Sequence, residues 1–160
     1  MSHIPPSHDV VVVHEDQAEM VGGVPVTGRL YADASATGGA LSCQRIMLAG
    51  GASGAAPHHH DRSSELFYVV SGAAELLPGD RVVSARQGDL VVVPPGTVHA
   101  FAAAPASDAD LVIMITPGVE RFGYFRHLER IAKGQERPES ILEVQELYDN
   151  YFDQTPLWQR

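Results

Sequence analysis

Three consecutive histidines, His58, His59 and His60, precede a polar run at residues 61–64 and then Glu65. Alternate side chains of an extended strand share a face, so His58 and His60 point one way and His59 the other. Two imidazoles on one face of a strand can chelate a single divalent ion. On an unbroken strand Glu65 has the wrong parity to join them. Residues 61–64 read as a turn, however, and Glu65 would open the next strand with its carboxylate directed back at the imidazoles. Taken alone, three adjacent histidines also read as a solvated loop. A second element alters that balance. Gly88 leads into the apolar run 90–93, Pro94-Pro95-Gly96 reverses the chain, and His99 starts the returning strand. A structural hairpin accounts for the glycines and prolines, but it does not ask for a histidine at its end.

The elements that must position these side chains are short strands separated by turn residues, the pattern of an all-β sandwich or barrel. Apolar and β-branched runs predict strands at 10–13, 26–32, 40–49, 65–71, 73–77, 81–85, 90–93, 99–103 and 111–115. Gly22-Gly23, Thr37-Gly38-Gly39, Pro78-Gly79-Asp80 and Gln87-Gly88-Asp89 read as turns, and residues 50–56 as a loop. Beyond Thr116-Pro117-Gly118 the character changes. Val119, Phe122, Phe125, Leu128 and Ile131 recur at three- and four-residue spacing, predicting an amphipathic helix that stops at Gly134. Residues 138–148 predict a second helix, with Ile141, Val144, Leu147 and Tyr148 on one side. The expected organisation is a β-barrel over residues 1–116, N-terminal strands included, with a helical extension over 117–160 packed on it.

The two histidine-bearing elements together resemble the motifs of the cupin family. The first appears as His58 and His60, four residues, Glu65, six residues and Gly72; the second as Gly88 through Pro94, then Gly96 and His99. The resemblance covers about residues 40–116. It departs from the family pattern in two places: Gly51 and Gly54 bracket the usual glycine position ahead of the first histidine, and Ala103 stands where asparagine is frequent. Neither departure removes a ligand. The resemblance implies a jelly-roll barrel, the double-stranded β-helix, in which His58, His60, Glu65 and His99 hold one divalent transition metal ion. Neutral imidazoles and a carboxylate suit Fe, Ni, Mn, Co, Cu or Zn. Four protein ligands in an octahedral shell leave two positions for water or substrate, and an open position marks a catalytic site. The family habit of pairing barrels through exposed strands implies a homodimer.

Phe67, Val69 and Phe101 share the inward parity and, with Met47, are the expected wall of a substrate pocket. An apolar pocket with one polar metal centre suits a flat or aromatic small molecule better than a sugar. Parity leaves open which of Tyr31, Gln44 and Arg45 faces it. The tail, with Glu120-Arg121-Phe122, Tyr148-Asp149, Phe152 and Trp158, is similar to small cupins of the bacterial quercetin dioxygenase type and of polyketide pathways. That likeness implies an enzyme acting on a hydroxylated aromatic or polyketide-like molecule, first a dioxygenase, with Glu65 as both ligand and catalytic base. A non-redox metal-dependent cyclase or isomerase is the alternative, and a binding module without turnover the third reading.

Composition sets the frame. The chain has 160 residues and a mass of 17.2 kDa, enough for a substantial core. Eleven Lys and Arg against 20 Asp and Glu give a formal charge of −9, which argues against nucleic acid as a partner. No apolar run approaches the roughly 18 residues of a spanning helix, so no membrane association is expected. Cys43 is the only cysteine, which excludes internal disulfides and thiolate-only metal sites. With no signal-peptide pattern at residues 1–6, a cytoplasmic setting is expected. Cys43 reads as a small core or strand residue, His127 as a helix-surface residue, and His3, His8 and His14 as terminal residues without a role.

Overall fold

Buried side chains alternate with more accessible ones along residues 26–32, 42–48 and 109–116. The computed structural model describes residues 9–160. Its strands are β1 (Glu19–Gly23), β2 (Val26–Ala32), β3 (Ser42–Leu48), β4 (His58–His59), β5 (Ser64–Pro78), β6 (Val83–Arg86), β7 (Leu90–Val93), β8 (His99–Ala103), β9 (Ala109–Thr116) and β10 (Tyr151–Phe152). Hydrogen bonding orders them β1-β2-β3-β9-β5-β8-β4-β10, with β6 and β7 also paired to β5, and every pairing is antiparallel. The result is a jelly-roll barrel.

The long strand β5 belongs to both sheets. Its first half pairs with β7 and β9, and its second half with β6 and β8. The change of partner falls at a bulge between Val69 and Ser71, followed by Gly72 at φ +74°. A Cβ at Gly72 would run into the Asp108 carbonyl, so this bend requires glycine. Inward-facing positions align across the sheet, with Phe67 opposite Ile113 and Ile113 opposite Gln44. Phe67, Val69, Leu76, Leu111 and Ile113 are shut off from solvent. Each such side chain contributes about 1.5–3 kcal/mol relative to exposure.

Several predicted elements are corrected. Residues 10–13 form no strand with any of the described residues, and Val10 is 88% exposed. The first strand is β1, and it contains Gly22 and Gly23, which read as a turn; the turn falls at Val24-Pro25 instead. Residues 65–71 and 73–77 form one strand, because Gly72 bends the chain without ending its pairing. The second helix is a 3-10 helix (Pro138–Val144) followed by the single turn α2 (Gln145–Tyr148). It ends where Asp149 adopts φ +50°.

Helix α1 (Phe122–Ala132) lies against the barrel, anchored at three points. The Asp33 carboxylate accepts the main-chain N–H groups of Arg121 (2.5 Å) and Phe122 (3.3 Å), capping the helix from a distant loop. Glu129 accepts the Gly22 N–H at 3.0 Å, and Arg126 pairs with Glu19 through two 2.8 Å bonds. His127 is buried, contrary to its surface reading, and its Nε2 sits 2.7 Å from both Ser140 Oγ and Glu136 Oε2. Among the described residues no helix is long and apolar enough to cross a membrane.

Candidate metal centre

Strand pairing sets His58 directly opposite His99, on β4 and β8. His60 follows β4 and is held by the second hairpin, whose Gly96 N–H donates to the His60 carbonyl at 2.7 Å. Glu65 comes from the neighbouring sheet, at the start of β5 opposite Ile115 and Val93. The bend at residues 61–64 therefore does what the spacing predicts, returning Glu65 to the imidazoles. One ligand atom from each of His58, His60, Glu65 and His99 lies within 4.8 Å of the others, and all four residues are buried.

Each imidazole is oriented by a main-chain carbonyl. His58 Nδ1–H donates to Ala56 O (2.7 Å), His60 Nδ1–H to Asp149 O (2.7 Å) and His99 Nδ1–H to Thr97 O (2.8 Å). A carbonyl can only accept, so the neutral rings carry their protons on Nδ1 and present the Nε2 lone pairs inward. Glu65 Oε2 lies 2.6 Å from His99 Nε2, 2.8 Å from His60 Nε2 and 3.8 Å from His58 Nε2. Nε2 atoms this close to a carboxylate oxygen need a cation between them, a proton on the ring or a metal ion among the donors. The residues therefore fit a divalent ion by donor chemistry as well as by spacing, and the carbonyl bonds are the outer partners such ligands need.

Burial pushes the His58 imidazolium down to about 4, so its ring is neutral around pH 7. Burial alone would raise Glu65, but the charge and hydrogen bonds of the imidazoles outweigh it and hold the carboxyl well below the usual range. Burial would likewise lower His99, and Glu65 more than reverses it.

Two of the donors, His58 and Glu65, line a cavity of about 400 Å³ between the barrel mouth and helix α1, whose wall is mostly apolar. Phe101 lines it, as expected of a pocket wall. Phe67 and Val69 do not; they are fully buried in the barrel core, with the Phe67 ring 5.4 Å from that of Phe101 and 6.1 Å from that of His99. Met47 is also absent from the wall, because on β3 the inward positions are Gln44 and Ile46. Gln44 borders the cavity. Arg45 points to the outer face, where it makes a two-bond pair with Asp110 (2.6 and 2.8 Å), and Tyr31 lines a shallow groove with Cys43. Burial raises the Cys43 thiol. His59 faces away from the donors, bonded to Asp153 through Nδ1 (2.6 Å) and stacked on Tyr151. His14 is exposed, and His3 and His8 lie outside the described residues.

Arg121, Tyr124 and Asn150 line the cavity, and the sequence had given none of them a site role, Arg121 having entered only as part of the tail likeness. One signal was available for two of them. Arg121, Tyr124, Phe125 and Leu128 stand at i, i+3, i+4 and i+7, so an arginine heads the buried face of the helix. Nothing local marks Asn150, or Asp149, whose side chain accepts the Asp61 and Arg62 N–H groups at 2.9 and 3.0 Å.

Residues 44–116 match the cupin domain family. No curated protein matches the chain. Among solved structures the chain is similar to KdgF from Halomonas sp., with 22% identity, a TM-score of 0.56, and 69% of this chain and 94% of that one covered. It is similar to the polyketide cyclase RemF from Streptomyces resistomycificus, with 19% identity, a TM-score of 0.56, and 68% and 80% covered. It also resembles Streptomyces Pac13, described as a nucleoside dehydratase, in a uridine-bound structure with 19% identity, a TM-score of 0.56, and 72% and 86% covered. At these identities the likeness is one of fold.

Proposed function

We propose, from the match of residues 44–116 to the cupin domain family, a mononuclear metal-dependent enzyme acting on a hydroxylated aromatic or polyketide-like small molecule, with oxygenation as its reaction. The observation that carries this reading is one buried cluster, His58, His60, Glu65 and His99, which meets a mostly apolar cavity of about 400 Å³ through His58 and Glu65. A divalent ion held there supplies Lewis acidity to a substrate oxygen and, where it is redox-active, reactivity with dioxygen. The chain's own residues do the rest. Phe101 and Ile113 present a flat apolar surface that aligns an aromatic ring and excludes water. The Nδ1 bonds of the three histidines fix the donor positions, so the substrate oxygen meets a preorganised centre. Glu65 takes the proton of the substrate hydroxyl on its carboxylate. Because the imidazoles make its carboxylate a weak base, that step requires the carboxylate to turn away from them as the substrate arrives.

A non-redox reading has its own support, since a polyketide cyclase and a nucleoside dehydratase share this fold. One experiment separates the two. Protein isolated without added metal is analysed for its elements, then loaded with the metal found and offered flavonols and related phenols in an oxygen electrode. Oxygen uptake with iron, nickel or manganese supports oxygenation. Zinc, with anaerobic conversion of an enolisable substrate, supports cyclisation or isomerisation. No metal in any preparation would sink both.

A further inference from the structure

The cavity contains a buried positive charge that the metal cluster does not explain. Arg121 is 4% exposed and borders the cavity that also contains His58 and Glu65. Among the described residues no carboxylate lies within ion-pair distance of its guanidinium; the nearby Asp33 carboxylate is engaged by the main-chain N–H groups of Arg121 and Phe122. The guanidinium stacks over Tyr124 at 4.2 Å and Phe125 at 5.3 Å. Among the described residues its only acceptors are the Tyr148 carbonyl and Asn150 Oδ1, each at 3.4 Å, and Nε–H has none. Contacts of that length are at the weak end of hydrogen bonding.

Two further polar groups on the same wall are short of partners. Asn150, 2% exposed, has no acceptor for Nδ2–H, and Gln44, also 2% exposed, has no donor for Oε1. Buried polar groups without partners are rare, and an unpaired buried charge is strongly unfavourable. Three of them around one cavity describe the complement of a ligand: a cation and an amide donor for an anionic oxygen, and an acceptor for a hydroxyl. A guanidinium with free N–H groups on a planar fork matches a carboxylate in particular.

We propose that Arg121 and Asn150 form an anion subsite that binds the carboxylate of a hydroxylated organic acid, with Gln44 accepting a hydroxyl of the same molecule. The placement of the substrate's other end at the metal donors rests on the function proposed above; the subsite itself does not. Arg121 and Asn150 stand outside residues 44–116, so this selectivity belongs to the C-terminal segment of this chain.

The test is calorimetric, on metal-free protein after chelation, with benzoate and its methyl ester as probes. Wild type should bind benzoate, and Arg121→Gln should weaken benzoate at least tenfold while leaving methyl benzoate unchanged. An Asn150→Asp variant keeps the guanidinium but supplies it with an internal carboxylate, and it should weaken benzoate to a similar degree with the ester unaffected. No benzoate binding to wild type, or unchanged benzoate affinity in Arg121→Gln or in Asn150→Asp, overturns the proposal. So does equal loss of both probes in Asn150→Asp with its melting temperature preserved. Repeating the titration with the metal-loaded protein and salicylate separates the two claims. If the metal reading fails, no metal is retained but the benzoate response to Arg121 persists. If the subsite fails, metal is retained and salicylate affinity ignores Arg121→Gln.

Discussion

The main-chain carbonyl of Asp149 accepts the Nδ1–H of His60 at 2.7 Å, joining a donor of the candidate metal centre to a residue 89 positions further along the chain. The Asp149 side chain meanwhile caps the N–H groups of Asp61 and Arg62, the turn that returns Glu65 to the same centre. One residue of the C-terminal segment thus orients two of the four donors.

Asp149→Ala should therefore act on metal affinity as well as on stability. The substitution keeps the carbonyl behind His60 but unties the turn that returns Glu65, and loosening the outer support of a metal ligand typically costs about 10–100-fold in affinity. The lost carboxylate leaves two N–H groups without acceptors, and alanine is strained at φ +50°, so stability should fall by about 2–4 kcal/mol. Chelator competition and urea unfolding measure the two effects. Asp149→Gly relieves the backbone strain and should recover part of the stability, but not the turn caps.

His99→Ala should reduce the metal-to-protein ratio to near zero in elemental analysis, since His99 contributes one of four buried donors. His59→Ala is the control within the same triplet. Its ring is bonded to Asp153 and stacked on Tyr151, so metal content should be unchanged. Metal loss in His59→Ala would contradict the strand parity on which the centre is built.

Gly72→Ala should lower stability by at least about 2 kcal/mol, because strain at positive φ is added to a collision with the Asp108 carbonyl. Gly134 has a similar φ of +71° but open space around its Cβ position, so Gly134→Ala should cost only about 1 kcal/mol. Thermal or urea unfolding of the two variants, compared in one buffer, gives the difference directly.

The pair between Glu19 and Arg126 joins β1 to helix α1 and should weaken in acid. The hydrogen bond from Arg126 holds the Glu19 carboxyl below its usual range. A group whose folded value is depressed stabilises above its unfolded value, about 4.3, and loses that contribution as pH falls through the folded one. Both side chains are largely exposed, so solvent screening limits the coupling to a few tenths of a kcal/mol. A double-mutant cycle with Glu19→Gln and Arg126→Gln should show that coupling at pH 7 and none near pH 2.5.

Tyr68, Leu90 and Val92 stand 47%, 59% and 53% exposed on the outer face of β5 and β7, where Tyr68 is opposite Leu90. A homodimer would cover this face. Light scattering should give twice the chain mass for the wild type and the single mass for a Leu90→Arg, Val92→Arg double variant. A wild-type monomer at working concentration would end that expectation.

What was legible in the sequence is what depends on local period. Parity placed His58 and His60 together and His59 apart, a polar turn returned Glu65, and a Pro-Pro-Gly reversal set His99 at the head of its strand. Alternation likewise marked Phe67, Val69 and Phe101 as inward, and all three are buried, Phe101 in a strand buried on both faces. Parity says which face a side chain joins, but not how far along the barrel it lies. Phe67 and Val69 therefore ended in the core below the cavity, and Met47 turned out of it.

Tertiary structure alone decided what lies between segments distant in the chain. Which face of β3 is inward followed from its pairing with β9, and that choice brought Gln44 to the cavity and sent Arg45 to Asp110. The burial of His127, the Asp33 cap on α1 and the Asp149 carbonyl behind His60 join residues between 13 and 89 positions apart. Hydrogen bonds of that span have no sequence period to announce them, because they form only after the barrel has closed and the C-terminal segment has packed across its mouth. The candidate metal donors were thus set by local spacing, while the wall of the cavity beside them was set by the fold.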